Sequence, residues 1–269
     1  MTAACGAAVV VALIPLAVIL FYIVSKGVTA LNWDFFTKLP KPTGETGGGM
    51  ANAIVGSIKL IAIAAAVSIP TGMMAGIYVA EYKGTPLASG VRFAADVLNG
   101  IPSIVIGIFA YGLVVIPMRR FSAIAGGVAL AIMMIPIITR TTEELINLVP
   151  QNLREGGLAL GANRARVTFS IIVPAALPGI ITGILVAIAR IAGETAPLLF
   201  TSLNNQFWTA RLDQPTASLT VQIYTYAISA YDDLHRQAWA GGLVLVALVF
   251  LFSVLARVVT RRLERMNVG

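Results

Sequence analysis

Arg190 and Glu194 are the residues of this chain best placed to do chemistry. They stand four positions apart in an apolar stretch, residues 175–195. On a helix that spacing puts both on one face and lets them pair. A charged side chain inside a bilayer is costly, at least about 2.5 kcal/mol for arginine on insertion scales, so a partner or an aqueous cavity is expected. The guanidinium is a planar fork of donors that matches phosphate or carboxylate oxygens. Two chemistries are therefore open: anion binding, or a static Arg190–Glu194 pair that holds helices together. Arg140, near one end of another apolar stretch, extends the anion path. Lys59, one or two turns into a third, reads as a snorkelling side chain.

The elements that must position these groups are membrane spans. Hydrophobic residues make up 58% of the 269 and charged residues only 12%, with a mean hydropathy of +0.87. A soluble domain carries about 25% charged residues. In lipid every backbone group must be paired within the segment, and long continuous apolar runs select helices over a barrel. Six runs can be read, over residues 7–25, 52–79, 101–117, 124–140, 175–195 and 238–259. The expected fold is all-α, a polytopic membrane protein with six transmembrane helices. The third run is short, and Pro102 near its start makes it partly re-entrant. The first reads as a retained span and not a signal peptide, since it has no basic leader and no small-residue cleavage site follows. Gly72 with Gly76, and Gly179 with Gly183, are small-xxx-small pairs that allow close helix approach.

Charge placement orients the spans. With the N-terminus cytoplasmic, inside segments carry ten basic residues and outside segments seven, the basic tail from Arg257 to Arg265 being the clearest signal. Both termini are then cytoplasmic. Residues 196–237 lie outside; Trp208, Tyr224, Tyr226, Tyr231 and Trp239 suit an interfacial belt, and 217–230 a short surface helix. The net charge of +7 comes from residues flanking spans, with no basic helix interleaved with aromatics, so nucleic acid is not a partner. Single His and Cys residues, with no nucleophile constellation, exclude a disulfide, a metal cluster and an enzyme active site. No G-x-x-x-x-G-K-[ST] loop is present to cradle the phosphates of ATP.

The inside segment 141–173 reads as structured. Pro150 can open a helix at its first turn, Gly161 suits a left-handed C-terminal position, and Asn163 can cap a second helix from Arg164 towards Pro174. Glu155-Gly156-Gly157, three residues, Gly161, nine residues and Ile171-Ile172-Val173-Pro174 closely resemble the EAA loop of binding-protein-dependent ABC importer permeases. Gly156 and Gly157 replace the two alanines, each at about 1 kcal/mol of helix propensity, and Val173 replaces leucine. The resemblance implies that this loop docks into a cleft of a separate ATPase. Arg154, Glu155, Gly156, Gly157, Gly161, Ala162 and Asn163 are the coupling residues so implied.

Further segments narrow the resemblance. Asn99-Gly100-Ile101-Pro102-Ser103-Ile104-Val105-Ile106-Gly107 is one, and Ala189 through Thr201, containing Arg190-Ile191-Ala192-Gly193-Glu194, is another. Asn204-x-Gln206-Phe207-Trp208 and Gln214-Pro215-Thr216-Ala217-Ser218-Leu219 complete the pattern. Together they are similar to the PstA-type permease family of phosphate ABC importers. That implies a type I ABC importer permease fold with a MetI-like core, in a bacterial cytoplasmic membrane. It implies a division into 1–50 (first helix and periplasmic loop), 51–260 (permease core) and 261–269 (basic tail). It also implies a second, PstC-like permease, two PstB-like ATPase subunits that bind the ATP, a PstS-like phosphate-binding protein, and no cofactor on this chain. Arg190 and Glu194 are then expected on the phosphate path, with Arg140 beside them. Asn99 and Ser103 either contribute where a helix N-terminus meets the path or merely cap that helix. Two other readings are a permease for sulfate or molybdate and a stand-alone channel or secondary transporter.

Overall fold

Apolar runs of 20 or more residues with few breakers can satisfy their backbone only as helices in lipid, and helices are what form. The computed structural model describes residues 2–267. In chain order the helices are α1 (Thr2–Gly27), α2 (Trp33–Thr37), α3 (Ala51–Glu81), α4 (Pro86–Gly100), α5 (Ser103–Met118), α6 (Ala123–Leu148), α7 (Gln151–Ala159), α8 (Arg164–Ile191), α9 (Ala196–Thr201), α10 (Leu219–Ala227) and α11 (Asp232–Asn267). A single antiparallel bridge, Pro40 with Gly48, is the sole β feature among the described residues.

Five helices are long and apolar enough to cross a membrane: α1, α3, α6, α8 and α11. The sixth span is a broken pair. α4 and α5 meet at Ile101-Pro102 with a bend of 108°, because proline blocks helical continuation and pushes the preceding residue to an extended conformation. The expected re-entrant character of 101–117 thus appears as a kink at its start. Residues 86–100, between the second and third apolar runs, form α4, capped by Thr85, whose hydroxyl accepts from Ala88 N at 3.2 Å, with Pro86 in the first turn.

α6 is the central post. α3 packs on it through Gly72 and Gly76; a Cβ on Gly72 would lie 2.8 Å from Ile138 Cβ, and one on Gly76 2.6 Å from the Thr139 carbonyl oxygen. α8 packs on it through the other expected pair; a Cβ on Gly179 would lie 2.8 Å from Leu145 Cδ2, and one on Gly183 2.2 Å from Thr141 Cγ2. Both small-residue pairs therefore do the packing that lipid-embedded helices need. Leu60, Leu130, Met134, Ile138, Ile191 and Leu198 fill the space between the three helices. α1 stays exposed along most of its length and touches the bundle near Gly27, which abuts Leu243 of α11.

Pro117 inside α5 and Pro174 inside α8 do not stop these helices. In each case one wide turn precedes the proline: the N–H of Ile116 bonds to the Tyr111 carbonyl before Pro117, and that of Val173 to the Thr168 carbonyl before Pro174. The wide turn relieves the clash of the ring with the carbonyl four residues back. The second helix of segment 141–173 therefore runs straight into the span, and α8 is one rod of 28 residues, about 42 Å long.

Candidate functional site: an intramembrane arginine and a helical knob

The knob is built from local sequence. α7 ends in a paired cap: Gly161 N–H donates to the Leu158 carbonyl at 2.9 Å and Ala162 N–H to that of Gly157 at 3.3 Å, with Gly161 at φ +82°. This is the Schellman arrangement, which favours glycine at the left-handed position. The Asn163 side chain then accepts from Arg166 N at 2.8 Å and starts α8. The expected helix, turn and capped helix are all present. Gly157 is buried against Val167 and Ile171, whereas nothing lies within 4 Å of a Cβ on Gly156. Glu155 and Gly156 are exposed, and Leu160 at the turn is 89% exposed.

Arg154 is placed differently from its neighbour Glu155. Its guanidinium turns inward and donates to both carboxylate oxygens of Glu81 at the end of α3. It ties the knob to that span and is not on the outer face with Glu155 and Leu160. Val167 and Ile172 of α8 pack with Ile146 of α6. The knob is therefore fastened to three spans at once.

Arg190 lies at the other end of α8. Its neighbour Ile191 packs against Leu60 and Leu130, nine residues into α3 and seven into α6. At 1.5 Å per residue that is about 10–14 Å below the ends of those helices remote from the knob, within the membrane layer. The expected Arg190–Glu194 pair is absent. α8 ends at Ile191, and a turn closed by Gly193 N to Arg190 O at 3.3 Å and Glu194 N to Ile191 O at 3.1 Å carries the chain off the helical path. The two side chains no longer share a face. Gly193, and Pro197 beyond it, explain the break. Arg190 is exposed, and its guanidinium has no hydrogen bond or ion pair among the described residues. Glu194 is half-buried; its carbonyl accepts from Thr220 Oγ1 at 2.9 Å.

Arg140 does not join Arg190. It lies ten residues further along α6 than Leu130, about 15 Å nearer the knob. Its Nε forms an ion pair with Asp96 at 3.0 Å, and its Nη1 donates to Glu143 at 2.8 Å. Arg92 Nε reaches the other oxygen of Glu143 at 2.9 Å. These four residues form a neutral clasp between α4 and α6, so Arg140 already has partners for its fork. Sequence reasoning missed Arg92, Asp96 and Glu143. A signal was present: Thr85-Pro86 as a helix start, with Arg92 and Asp96 four apart, as on one helix face.

Asn99 is exposed at the end of α4, and Ser103 is the first residue of α5; neither side chain caps a helix. The segment around them is positioned by contact with the other long motif. A Cβ on Gly107 would lie 2.6 Å from Pro197 Cα, so α5 and α9 touch backbone to backbone there. The remaining motifs lay the loop after α9 over the end of α3. Gly56 meets the Ala217 carbonyl, Asn52 donates to the Asn205 carbonyl at 2.6 Å, and Asn204 to Gln222 at 2.8 Å. Lys59 does not simply snorkel; its ammonium donates to the Thr209 carbonyl of this loop at 2.6 Å. Tyr226 is buried and not part of an interfacial belt, and burial pushes its phenol pKa up.

A family model described as binding-protein-dependent transport system inner membrane component matches residues 68–265. The phosphate transport system permease protein PstA of Yersinia pestis is 49% identical over 242 residues, covering 90% of this chain and 82% of the relative. That of Haemophilus influenzae is 44% identical, with 94% and 88% covered. A solved MetNI methionine ABC transporter, inward-facing, shares the fold at TM-score 0.62 and 18% identity, over 80% of this chain and 97% of that one. A bacterial alginate ABC transporter does so at TM-score 0.70 and 12% identity, over 97% and 93%. The fold is that of type I ABC importer permeases, and the chain belongs to the PstA-type permeases of the binding-protein-dependent transport family.

Proposed function

We propose that this chain forms one half of the transmembrane path of an ATP-driven inorganic phosphate importer. The observation that carries the reading is Arg190: a guanidinium at membrane depth with no partner among the described residues. An unpaired arginine there is costly, so its face belongs against an aqueous path or a second subunit. Its fork suits a phosphate oxyanion, and phosphate is named as the cargo of the relatives above 40% identity.

Arg190 and Glu194 are the path residues in this reading, with Asn99 and Ser103 near the kink of α4 and α5 as minor contributors. Arg140 acts on the path through the clasp. The second wall is a PstC-like permease, the motor two PstB-like ATPase subunits, and the donor a PstS-like phosphate-binding protein. The chain crosses a bacterial cytoplasmic membrane with both termini on the cytoplasmic side. ATP is held by the partner subunits.

Coupling follows from the rod. ATPase closure pushes the knob at Glu155 and Leu160. The Glu81–Arg154 pair and the Val167–Ile172 packing transmit the push to α3 and α6. The 28-residue α8 carries it to Arg190 at the far end. The glycine-locked turn at Gly161, with Ala162 and Asn163, makes the knob stiff enough to push.

Uptake of labelled phosphate by cells expressing the whole system tests the cargo. Arsenate, with phosphate's charge and protonation, should compete; sulfate should not. Competition by sulfate at equal concentration would assign the path to a different oxyanion.

A further inference from the structure

Two cavities beneath the knob share Glu81, Tyr82 and Arg164. The larger, about 500 Å³, lies between the ends of α3 and α6, α7 and the first turn of α8. Three cations line it, Lys83, Arg154 and Arg164, against one carboxylate, Glu81. Arg154 and Glu81 neutralise each other. Lys83 and Arg164 are left over; neither charged head has a hydrogen bond or ion pair among the described residues.

The smaller cavity, about 190 Å³, is lined by Met74, Ile77, Tyr78, Thr168 and Phe169, with Arg164 shared at its mouth. It runs along α3 and α8 towards the membrane layer; Met74 is seven residues above Glu81, about 10 Å. Met74 and Phe169 are exposed. A basic compartment at the end of two spans thus opens into an apolar one that climbs beside them.

We propose that this cleft binds one anionic phospholipid. The phosphodiester head sits between Lys83 and Arg164, and an acyl chain follows Met74, Ile77 and Phe169. Basic pockets between spans attract anionic headgroups in this way. A free phosphate ion would match only the basic compartment and leave the apolar one without an occupant. The lipid head lies against Arg154 and Leu158 of α7, so it braces the knob where α7 meets the span ends.

The test uses the assembled complex, captured through a tag on this chain, in nanodiscs of phosphatidylcholine with or without phosphatidylglycerol. Native mass spectrometry counts retained lipid. Wild type should retain phosphatidylglycerol in preference to phosphatidylcholine. Lys83→Gln/Arg164→Gln should retain it about thirtyfold more weakly, by two headgroup contacts. Arg166→Gln, two residues further along α8 and outside both cavities, should match wild type. Met74→Trp, which fills the apolar compartment without changing charge, should also reduce retention and guards against a double variant that fails to assemble. The assignment is overturned if wild type shows no lipid preference, or if both Met74→Trp and the double variant retain lipid as wild type does. Displacement of retained phosphatidylglycerol by inorganic phosphate would reassign the cleft to free phosphate.

Discussion

Replacing Glu143 by Gln should destabilise the chain far more than replacing Asp96 by Asn, although both carboxylates contact Arg140. The Glu143 side chain is 6% exposed and accepts from Arg92 on one oxygen and Arg140 on the other. Glutamine keeps the shape but removes the charge and turns one acceptor into a donor facing a guanidinium. Breaking a fully buried pair this way costs about 3–5 kcal/mol. The two arginines are about one-third exposed, 34% and 31%, so water screens part of the loss, and about 2–3 kcal/mol is expected. Asp96 is 51% exposed, and its loss should cost under about 1 kcal/mol. Thermal unfolding of the purified complex should show Glu143→Gln lowered by about 4–10 °C and Asp96→Asn almost unchanged. A double-mutant cycle should give Arg140 a coupling to Glu143 well above its coupling to Asp96. Equal effects of the two carboxylates, or no effect of Glu143→Gln, would refute the clasp.

Gly156→Ala should stiffen α7 by about 1 kcal/mol, since the position is open, and slow hydrogen exchange across 151–160. Gly157→Ala should cost about 1–3 kcal/mol, because its Cβ meets Val167 and Ile171 below 3 Å, with faster exchange at the same amides. Gly161→Ala forces a side chain into φ +82° and should weaken ATPase co-purification, at about 1–2 kcal/mol of strain. Gly107→Val should separate α5 from Pro197, read as lost phosphate uptake with a lowered unfolding temperature. Lys59→Met should free the Thr209 carbonyl, cost about 1.5–3 kcal/mol, and expose residues 205–215 to limited proteolysis.

Features fixed by neighbouring residues were legible in the sequence. The knob is one: Gly161, Asn163 and the Pro150 start each act within a turn or two, so spacing alone located them. The glycine pairs of α3 and α8 are another, because small residues at that spacing have one common use in lipid. What the sequence hid is tertiary. α4 is amphipathic and contains Gly90, and its role appears only when Arg92 and Asp96 meet Glu143 and Arg140 across the bundle. The end of α8 at Ile191 depends on Ile191 and Leu198 packing on both sides of a glycine turn, so the helical spacing of Arg190 and Glu194 misled. Pro174 looked like a boundary, yet one wide turn lets the rod continue. Arg154 and Glu155 are adjacent in sequence and face opposite ways, which neither residue type announces.

The central claim is that the Arg190 guanidinium, which has no partner among the described residues, serves the phosphate path, and one measurement addresses it directly. Labelled phosphate uptake is compared for wild type, Arg190→Lys and Arg190→Gln, with assembly of the complex checked by co-purification of its subunits. Arg190→Gln should abolish uptake while the complex still assembles, and Arg190→Lys should retain part of it, keeping the charge without the fork. Normal uptake by Arg190→Gln in an assembled complex would contradict the claim.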